Sequence, residues 1–208
     1  MTLNRRSFLR STAAAGLTLA APAILGAAEQ PKSGKLYRTA LIGSGWWGMN
    51  ILREAFAAGQ SQVVALCDVD QRMLNNAAAE VEKLTGATPK KYGDYRELLD
   101  KEKPEIAIVG TPDHWHPLQT IAAVQAGAHV YVEKPICHTI GEGRAMVNAA
   151  RAAGRVVQVG THRRVSPHNV AGREFILAGK LGKIGMIRSF VHYGGGPEKP
   201  RKNTEPPR

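Results

Sequence analysis

A six-residue glycine motif constrains the fold of this 208-residue chain more than any other feature of its sequence. The motif, GSGWWG at residues 43–48, lies between a short aliphatic run and an amphipathic segment of helical period. Gly43 permits a tight turn, Gly45 lets backbone approach a pyrophosphate, and Gly48 lets the helix pack against the strand. Phosphates would then lie at the helix N-terminus, where unpaired N–H groups favour an anion. The motif predicts a dinucleotide site.

The position of Asp68 strengthens this prediction. It follows Gly48 by twenty residues and ends the second apolar run, QVVALCD (62–68). A carboxylate at that point accepts hydrogen bonds from the ribose hydroxyls of a bound dinucleotide. A glycine motif alone is weak evidence, whereas strand, helix and acid together favour NAD as the cofactor, with NADP as the alternative.

Short apolar runs alternate with segments of helical period from Leu36 onward. The runs predict buried parallel strands at residues 38–43, 62–68, 105–110, 129–133 and 155–160. Between them, apolar residues recur at the spacing of one helix face, as with Leu74, Ala77, Ala78 and Val81. Repeated strand–helix alternation predicts an α/β fold, a doubly wound parallel sheet of the Rossmann type, over residues 36–160.

The composition changes after Gly160. A helix is predicted from Asn169 to Ala178, and MIRSFVHY (186–193) has the pattern of one further strand. The tail at 194–208 has the glycine, proline and charge content of a linker. We therefore expect residues 161–193 to hold only the first strand of a second, α+β substrate domain in a truncated chain.

The N-terminal residues predict a targeting segment. NRRSFLR (4–10) precedes an uncharged stretch, residues 11–28, and the combination is typical of a bacterial twin-arginine export signal. A membrane-spanning helix is the alternative, but small residues dominate the stretch and Pro22 interrupts it, so no stable membrane anchor is expected. Residues 1–28 are read as a signal peptide that partners the export machinery and sends the protein to the periplasm.

Charge and metal-ligand spacing exclude two other classes of function. The net charge is +11, but the basic residues outside the signal are scattered and aromatic residues make up only 6% of the chain, so no nucleic-acid partner is expected. His114 and His116 are two residues apart, yet no Cys, Asp or Glu set completes a site with them. No metal is expected.

Two polar segments follow the strands predicted at 105–110 and 129–133. They are GTPDHWHP (110–117) and EKPICH (133–138), and both fall at the sheet edge where α/β folds bind ligands. The Glu133–Lys134 pair can be read as a plain surface ion pair. The other interpretation is that Lys134, close to a nicotinamide ring, transfers a proton.

These residues resemble the N-terminal half of the Gfo/Idh/MocA oxidoreductase family, from about Leu36 to Tyr193. The resemblance rests on the glycine motif and on CDVD (67–70), TPDHWH (111–116), VEKP (132–135) and GTHRR (160–164). It implies that Lys134 is the catalytic lysine and that a cis bond precedes Pro135. It adds Thr111, Pro112, His116, Glu133, Lys134 and His162 to the cofactor-binding residues expected from the glycine motif and the acid, which are Gly43, Gly45, Trp46, Trp47, Gly48 and Asp68.

The resemblance also implies an activity. Family members transfer hydride between NAD(P) and a sugar- or polyol-like substrate, often as homo-oligomers, and this is the expected activity of an exported enzyme that carries its cofactor with it. The family suggests an NAD-dependent glycosidase as an alternative. A fragment that binds a dinucleotide without catalysing a reaction is the third interpretation.

The predicted topology bears on the two cysteines. The strands that precede or carry Cys67 and Cys137 lie three positions apart, about 14 Å at roughly 4.8 Å per strand. A disulfide needs Cα atoms within about 7 Å of each other. Both thiols are expected to be free.

Overall fold

The computed structural model describes residues 34–190, and in that range six strands alternate with helices. The strands are β1 (Tyr37–Ile42), β2 (Ser61–Cys67), β3 (Lys90–Tyr92), β4 (Ile106–Val109), β5 (His129–Val132) and β6 (Val157–Val159). The α-helices are α1 (Trp46–Ala57), α2 (Gln71–Thr85), α3 (Tyr95–Glu102), α4 (His116–Gln125), α5 (Ile140–Ala152) and α6 (Pro167–Leu177). Short 3₁₀ turns lie at Asp113–Trp115 and His162–Arg164.

The strands form one parallel sheet in the order β3-β2-β1-β4-β5-β6. The first described strand, β1, lies in the middle of the sheet; β2 and β3 follow on one side of it, and the chain then crosses to β4 on the other. Neighbouring crossovers therefore diverge between β1 and β4, which opens a crevice at the carboxyl ends of the strands. The predicted doubly wound α/β fold is confirmed.

Two apolar clusters cover the two faces of the sheet, because successive residues of a strand point to opposite sides. In β1, Ala40 and Ile42 pack in one cluster with residues of α3, α4 and α5. Leu41 packs in the other with residues of α1 and α2. The predicted face of α2 is confirmed, since its four apolar residues at helical spacing are the buried ones.

One strand and one helix were not predicted. β3 has the sequence KKY and α3 has the sequence YRELLDKE, so neither presents a long apolar run. Asp94 begins α3, because its carboxylate accepts a hydrogen bond from the N–H of Arg96. The turn between β3 and α3 nevertheless lines the crevice.

The expectation for the segment after Gly160 holds only in part. Helix α6 lies where a helix was predicted, begins with Pro167 in its first turn, and is followed by Gly179 with φ +71°. The strand predicted at 186–193 is wrong for residues 186–190, which form no strand. Residues 191–193, the signal at 1–28 and the tail at 194–208 lie outside the described residues.

Two smaller findings complete the fold. Cys67 and Cys137 are both free thiols, as predicted. None of the helices within residues 34–190 is long and apolar enough to cross a membrane.

Candidate functional site

Three glycines allow the backbone at the ends of β1 and β4 to contact the backbone at the start of α1. A Cβ on Gly48 would lie 1.9 Å from the carbonyl oxygen of Gly43, and one on Gly110 would lie 2.9 Å from the Cα of Gly48. Gly43 has φ +91°, and a Cβ there would lie 2.6 Å from the backbone nitrogen of Thr111. Side chains are thus excluded at all three positions by neighbouring backbone, as the motif predicts for a tight turn and close helix packing.

Gly45 differs from the other glycines because nothing lies within 4 Å of the Cβ it lacks. It occupies the N-cap of α1, where no side chain caps the helix and no acidic residue occurs in the first turn. The first N–H groups of a helix have no intrahelical partner, and the helix dipole adds positive potential. An open, uncapped cradle of this kind fits the pyrophosphate of a dinucleotide.

Asp68 is anchored beside this cradle. Its Oδ2 accepts hydrogen bonds from the N–H of Ser44 at 2.8 Å and from the Ser44 hydroxyl at 3.2 Å, and its Oδ1 accepts one from the N–H of Asp70 at 2.9 Å. These bonds orient the carboxylate at the end of β2 and leave acceptor capacity on Oδ1. Ser44, which is buried, was not among the predicted residues, although it stands inside the glycine motif.

The first cleft runs from the glycine turn toward β3 and has a volume of about 400 Å³. Three of the predicted cofactor-binding residues, Gly43, Gly45 and Asp68, line it. Its wall also includes residues that sequence reasoning missed: Val69, Gly93, Asp94, Tyr95, Arg96, Trp115 and Gln119. The Arg96 guanidinium lies 4.5 Å from the centre of the Tyr95 ring. This apolar cleft with one anchored carboxylate suits an adenosine group.

The sequence contained a signal for part of that wall. Gly93 and Asp94 form a turn directly before a helix, in the same strand–turn–helix arrangement as the glycine motif, with Asp94 as a typical N-cap. Because KKY before the turn is short and polar, apolar periodicity alone does not reveal the strand.

The second cleft continues from the first, shares Gly110, Thr111 and Pro112 with it, and has a volume of about 610 Å³. Its remaining lining residues are Trp46, Trp47, Asp113, His116, Glu133, Lys134, Pro135, His162 and Arg163. The structure therefore places every predicted site residue along one continuous groove, with Gly48 packed directly behind it.

Glu133 and Lys134 are adjacent in sequence but differ in environment. The Glu133 side chain is buried, and it accepts hydrogen bonds from the Tyr131 hydroxyl at 3.3 Å and from the N–H of Lys134 at 3.2 Å. Burial, followed by the Glu133 charge, raises the pKa of the Tyr131 phenol. Lys134 is exposed, and among residues 34–190 no carboxylate lies within ion-pair distance of its amine. The surface ion pair is thus absent from the described part of the chain.

Aromatic rings form one side of the second cleft. The Trp46 and Trp47 rings lie 5.1 Å apart, and the Trp47 and His162 rings lie 5.5 Å apart. Trp46 is 75% exposed, which is unusual for so large an apolar side chain. The rings present a flat apolar surface to whatever occupies the cleft.

His138 and His116 differ in their surroundings. His138 Nε2 is 3.1 Å from Asp113 Oδ1, and this hydrogen bond is the largest of the contacts that hold the pKa of Asp113 below its ordinary value. His116 is instead buried, and both of its ring nitrogens contact backbone carbonyl oxygens. No group of three or more His, Cys, Asp or Glu side chains in residues 34–190 is placed to hold a metal ion.

The bond between Lys134 and Pro135 is cis, as the family resemblance implied.

Comparison with known proteins shows which family and fold the chain resembles. The family model for Gfo/Idh/MocA proteins, described as an oxidoreductase family with an NAD-binding Rossmann fold, matches residues 37–161. A glycosyl hydrolase family 109 protein of Parabacteroides distasonis is 28% identical over 93% of this chain and 44% of its own length. The chain thus spans less than half the length of that relative.

Solved structures show the same likeness. Myo-inositol 2-dehydrogenase of Lactobacillus plantarum superposes with a TM-score of 0.66 and 27% identity, over 72% of this chain and 43% of that one. The WlbA dehydrogenase of Bordetella pertussis, in complex with NADH and UDP-GlcNAcA, gives a TM-score of 0.61 and 26% identity, over 71% and 44%. One protein of this fold and similarity has thus been solved with NADH bound.

The different surroundings of two glycines in the motif give a paired prediction. Gly45→Ala should fold normally but weaken NAD binding about tenfold or more, because its methyl group meets no protein atom and takes up space next to the cradle. Gly48→Ala should lower the free energy of unfolding by about 1–3 kcal/mol, because its methyl group meets the Gly43 carbonyl.

Thermal unfolding and NAD titration of both variants, with Gly59→Ala as a control outside the groove, check the pair. Gly59 lies after α1 with φ +77°, so that variant reports backbone strain without a change at the cradle. Normal NAD affinity in Gly45→Ala would contradict the placement of the pyrophosphate.

Proposed function

The chain belongs to the Gfo/Idh/MocA oxidoreductase family, through its NAD-binding Rossmann domain, and on that basis we propose that it is an NAD-dependent oxidoreductase of a sugar- or polyol-like substrate. The observation that carries the proposal is Lys134, an exposed amine in the second cleft beside the aromatic rings. The substrate class follows from the neighbours, one named for myo-inositol and one solved with a UDP-sugar.

The residues of the second cleft suit hydride chemistry. Bound NAD supplies the hydride acceptor or donor. As a substrate carbon changes between alcohol and carbonyl, Lys134 Nζ transfers the hydroxyl proton, which a flexible amine with three donors can reach. Glu133 fixes the start of the turn that carries this lysine, because its carboxylate accepts the Lys134 N–H. Trp47 and His162 keep water from one side of the cleft.

A second candidate is an NAD-dependent glycosidase. The glycosyl hydrolase family 109 relative, which aligns with nearly the whole chain, favours it. In such a reaction the hydride is removed from the sugar and returned to it, so that a glycosidic bond breaks without net oxidation. The third possibility is dinucleotide binding without catalysis.

Replacement of Lys134 tests its role. Lys134→Met removes the amine, and Lys134→Arg keeps the positive charge but not the ability to release a proton at neutral pH. Both variants should lower turnover with inositols, hexoses and UDP-sugars by about 100-fold or more, while the Kd for NAD changes by less than about threefold. NADH formation and calorimetric titration measure the two quantities.

Lys83→Ala is the matched control, since Lys83 is an exposed lysine in the last turn of α2 and lines neither cleft. Full turnover in Lys134→Met would remove this lysine from the reaction. Release of free sugar from aryl glycosides by the wild type, without NADH accumulation, would identify the glycosidase. NAD binding without formation of either product would favour the third possibility, dinucleotide binding without catalysis.

Asp68 sets the expected cofactor preference. Its carboxylate is held by Ser44 where the 2′-phosphate of NADP would have to lie, and like charges at that distance repel. Arg72 is the residue that would favour NADP, but its guanidinium lies 3.8 Å from Asp70 Oδ2. NAD should therefore bind at least about tenfold more tightly than NADP.

Titration of both cofactors against Asp68→Asn checks the preference, which should shrink when the charge is removed. The control is Asp100→Asn, an exposed aspartate of α3 that lines neither cleft. Tighter binding of NADP than of NAD by the wild type would refute the assignment.

Export to the periplasm through the twin-arginine route completes the proposal. An enzyme that needs a nicotinamide cofactor outside the cytoplasm gains from folding around that cofactor before export, and the cofactor must then be regenerated within each catalytic cycle. Replacing both Arg5 and Arg6 with lysine should leave the precursor in the cytoplasm, whereas Arg10→Lys, which keeps the pair, should not. Cell fractionation measures this, and a periplasmic double variant would disprove the export signal.

A further inference from the structure

His116 is enclosed between the two loops that form the second cleft. It is the first residue of α4, and its side chain is 1% exposed. Its Nδ1 lies 2.6 Å from the carbonyl oxygen of Pro135, and its Nε2 lies 2.8 Å from the carbonyl oxygen of Thr111. One imidazole ring thus joins the turn after β5 to the loop after β4.

Two carbonyl oxygens require two N–H donors. A carbonyl oxygen only accepts, and a neutral imidazole has one N–H and one nitrogen with a lone pair. With a neutral ring, one of the two contacts would hold two lone pairs against each other at less than 3 Å, in a place that water does not reach. A ring that carries a proton on each nitrogen satisfies both contacts.

We propose that His116 carries protons on both ring nitrogens in the folded protein and acts as a positioning residue, a two-donor tie that holds the Lys134–Pro135 turn against the Thr111 loop. The tie acts through backbone, since Lys134 immediately precedes Pro135 in the chain. Its effect on catalysis rests on the proposed role of Lys134, whereas its effect on NAD binding does not.

The surroundings of the ring include charges of both signs. Asp113 from the 3₁₀ turn and Glu133 from the end of β5 line the same cleft, and the buried Glu133 carboxylate and the two carbonyl dipoles favour a positive ring. Burial of the ring opposes the charge, and so do Lys134 and Arg163, as well as His138 and His162 when they are protonated. The pKa of Asp113 is lowered mainly by the hydrogen bond from His138, with the His116 charge as a smaller cause.

The Thr111 loop makes a second hydrogen bond to α4 in addition to its contact with the His116 ring. The Thr111 hydroxyl donates to Gln119 Oε1 at 2.6 Å, so the Thr111 loop is fastened to α4 both by Gln119 and by His116. The Pro135 carbonyl has the His116 ring as its one hydrogen-bond partner among the described residues. Loss of a ring proton would therefore release one loop from the other without unfolding α4.

Nitrogen NMR of the ring tests the proposal directly. In protein with ¹⁵N-labelled histidine, the resonances assigned to His116 by their loss in His116→Gln should show a proton on both nitrogens at neutral pH. A neutral tautomer with a single N–H under the same conditions would overturn the proposal. This measurement uses the wild-type chain and does not depend on any turnover.

The pH dependence of NAD affinity supplies a second readout. Raising the pH removes a ring proton and with it one hydrogen bond, so NAD affinity should fall by about tenfold over the range where the His116 resonances titrate. His116→Gln should bind NAD weakly throughout and lack that pH step, because a single amide cannot donate in both directions. His114→Gln, a change of an exposed neighbour, should keep both the affinity and the step.

His138→Gln separates the rim histidine from the tie, since any step that it removes belongs to the Asp113 contact instead. Should His116→Gln fail to fold, the His116 resonances are those that remain when each of the other histidines is changed to Gln in turn, and the wild-type spectrum still decides the proton count. NAD affinity with no step over the titration of His116 would show that the tie does not position the groove. If NAD affinity shows the pH step but no hydride transfer is detected, the result contradicts the proposed function and not the role of His116.

Discussion

The backbone contact between Gly43 and Gly48 is the constraint on which the site depends. No side chain fits at Gly48, because its Cβ would lie 1.9 Å from the Gly43 carbonyl oxygen, and Gly110 closes the same contact from β4. Helix α1 therefore starts directly against the ends of the two central strands. Its uncapped N-terminus opens onto the crevice that the strand order creates, so fold and anion site have one origin.

Much of this arrangement could be predicted because it follows from local pattern and parallel topology. Buried parallel strands are apolar throughout, which made β1, β2, β4 and β5 evident within a residue or two of their bounds. Parallel strands also end at a common edge, so residues after different strands, such as Asp68, Thr111 and Lys134, could be expected to line one groove.

The parts that escaped prediction lack such a pattern or need a partner. The edge strand KKY is exposed and polar, so no apolar run marked it, yet the turn after it forms the far wall of the first cleft. Residues 186–190 have the composition of a strand but no neighbouring strand to pair with in the described part of the chain, and composition alone does not make a sheet. The contacts of His116 depend on two loops meeting in space, which no spacing in the sequence encodes.

The turn after β5 shows how adjacent residues receive opposite roles. Both residues line the second cleft, but consecutive side chains at a strand end point to opposite sides, so Glu133 is buried whereas Lys134 is exposed. Glu133 turns inward because Gly160 leaves room, since a Cβ there would lie 2.3 Å from its Oε1. Its two contacts, from the Tyr131 hydroxyl and the Lys134 N–H, leave lone pairs unused. The inward carboxylate thus holds the turn through the Lys134 N–H, while the exposed Lys134 amine stays available to a ligand.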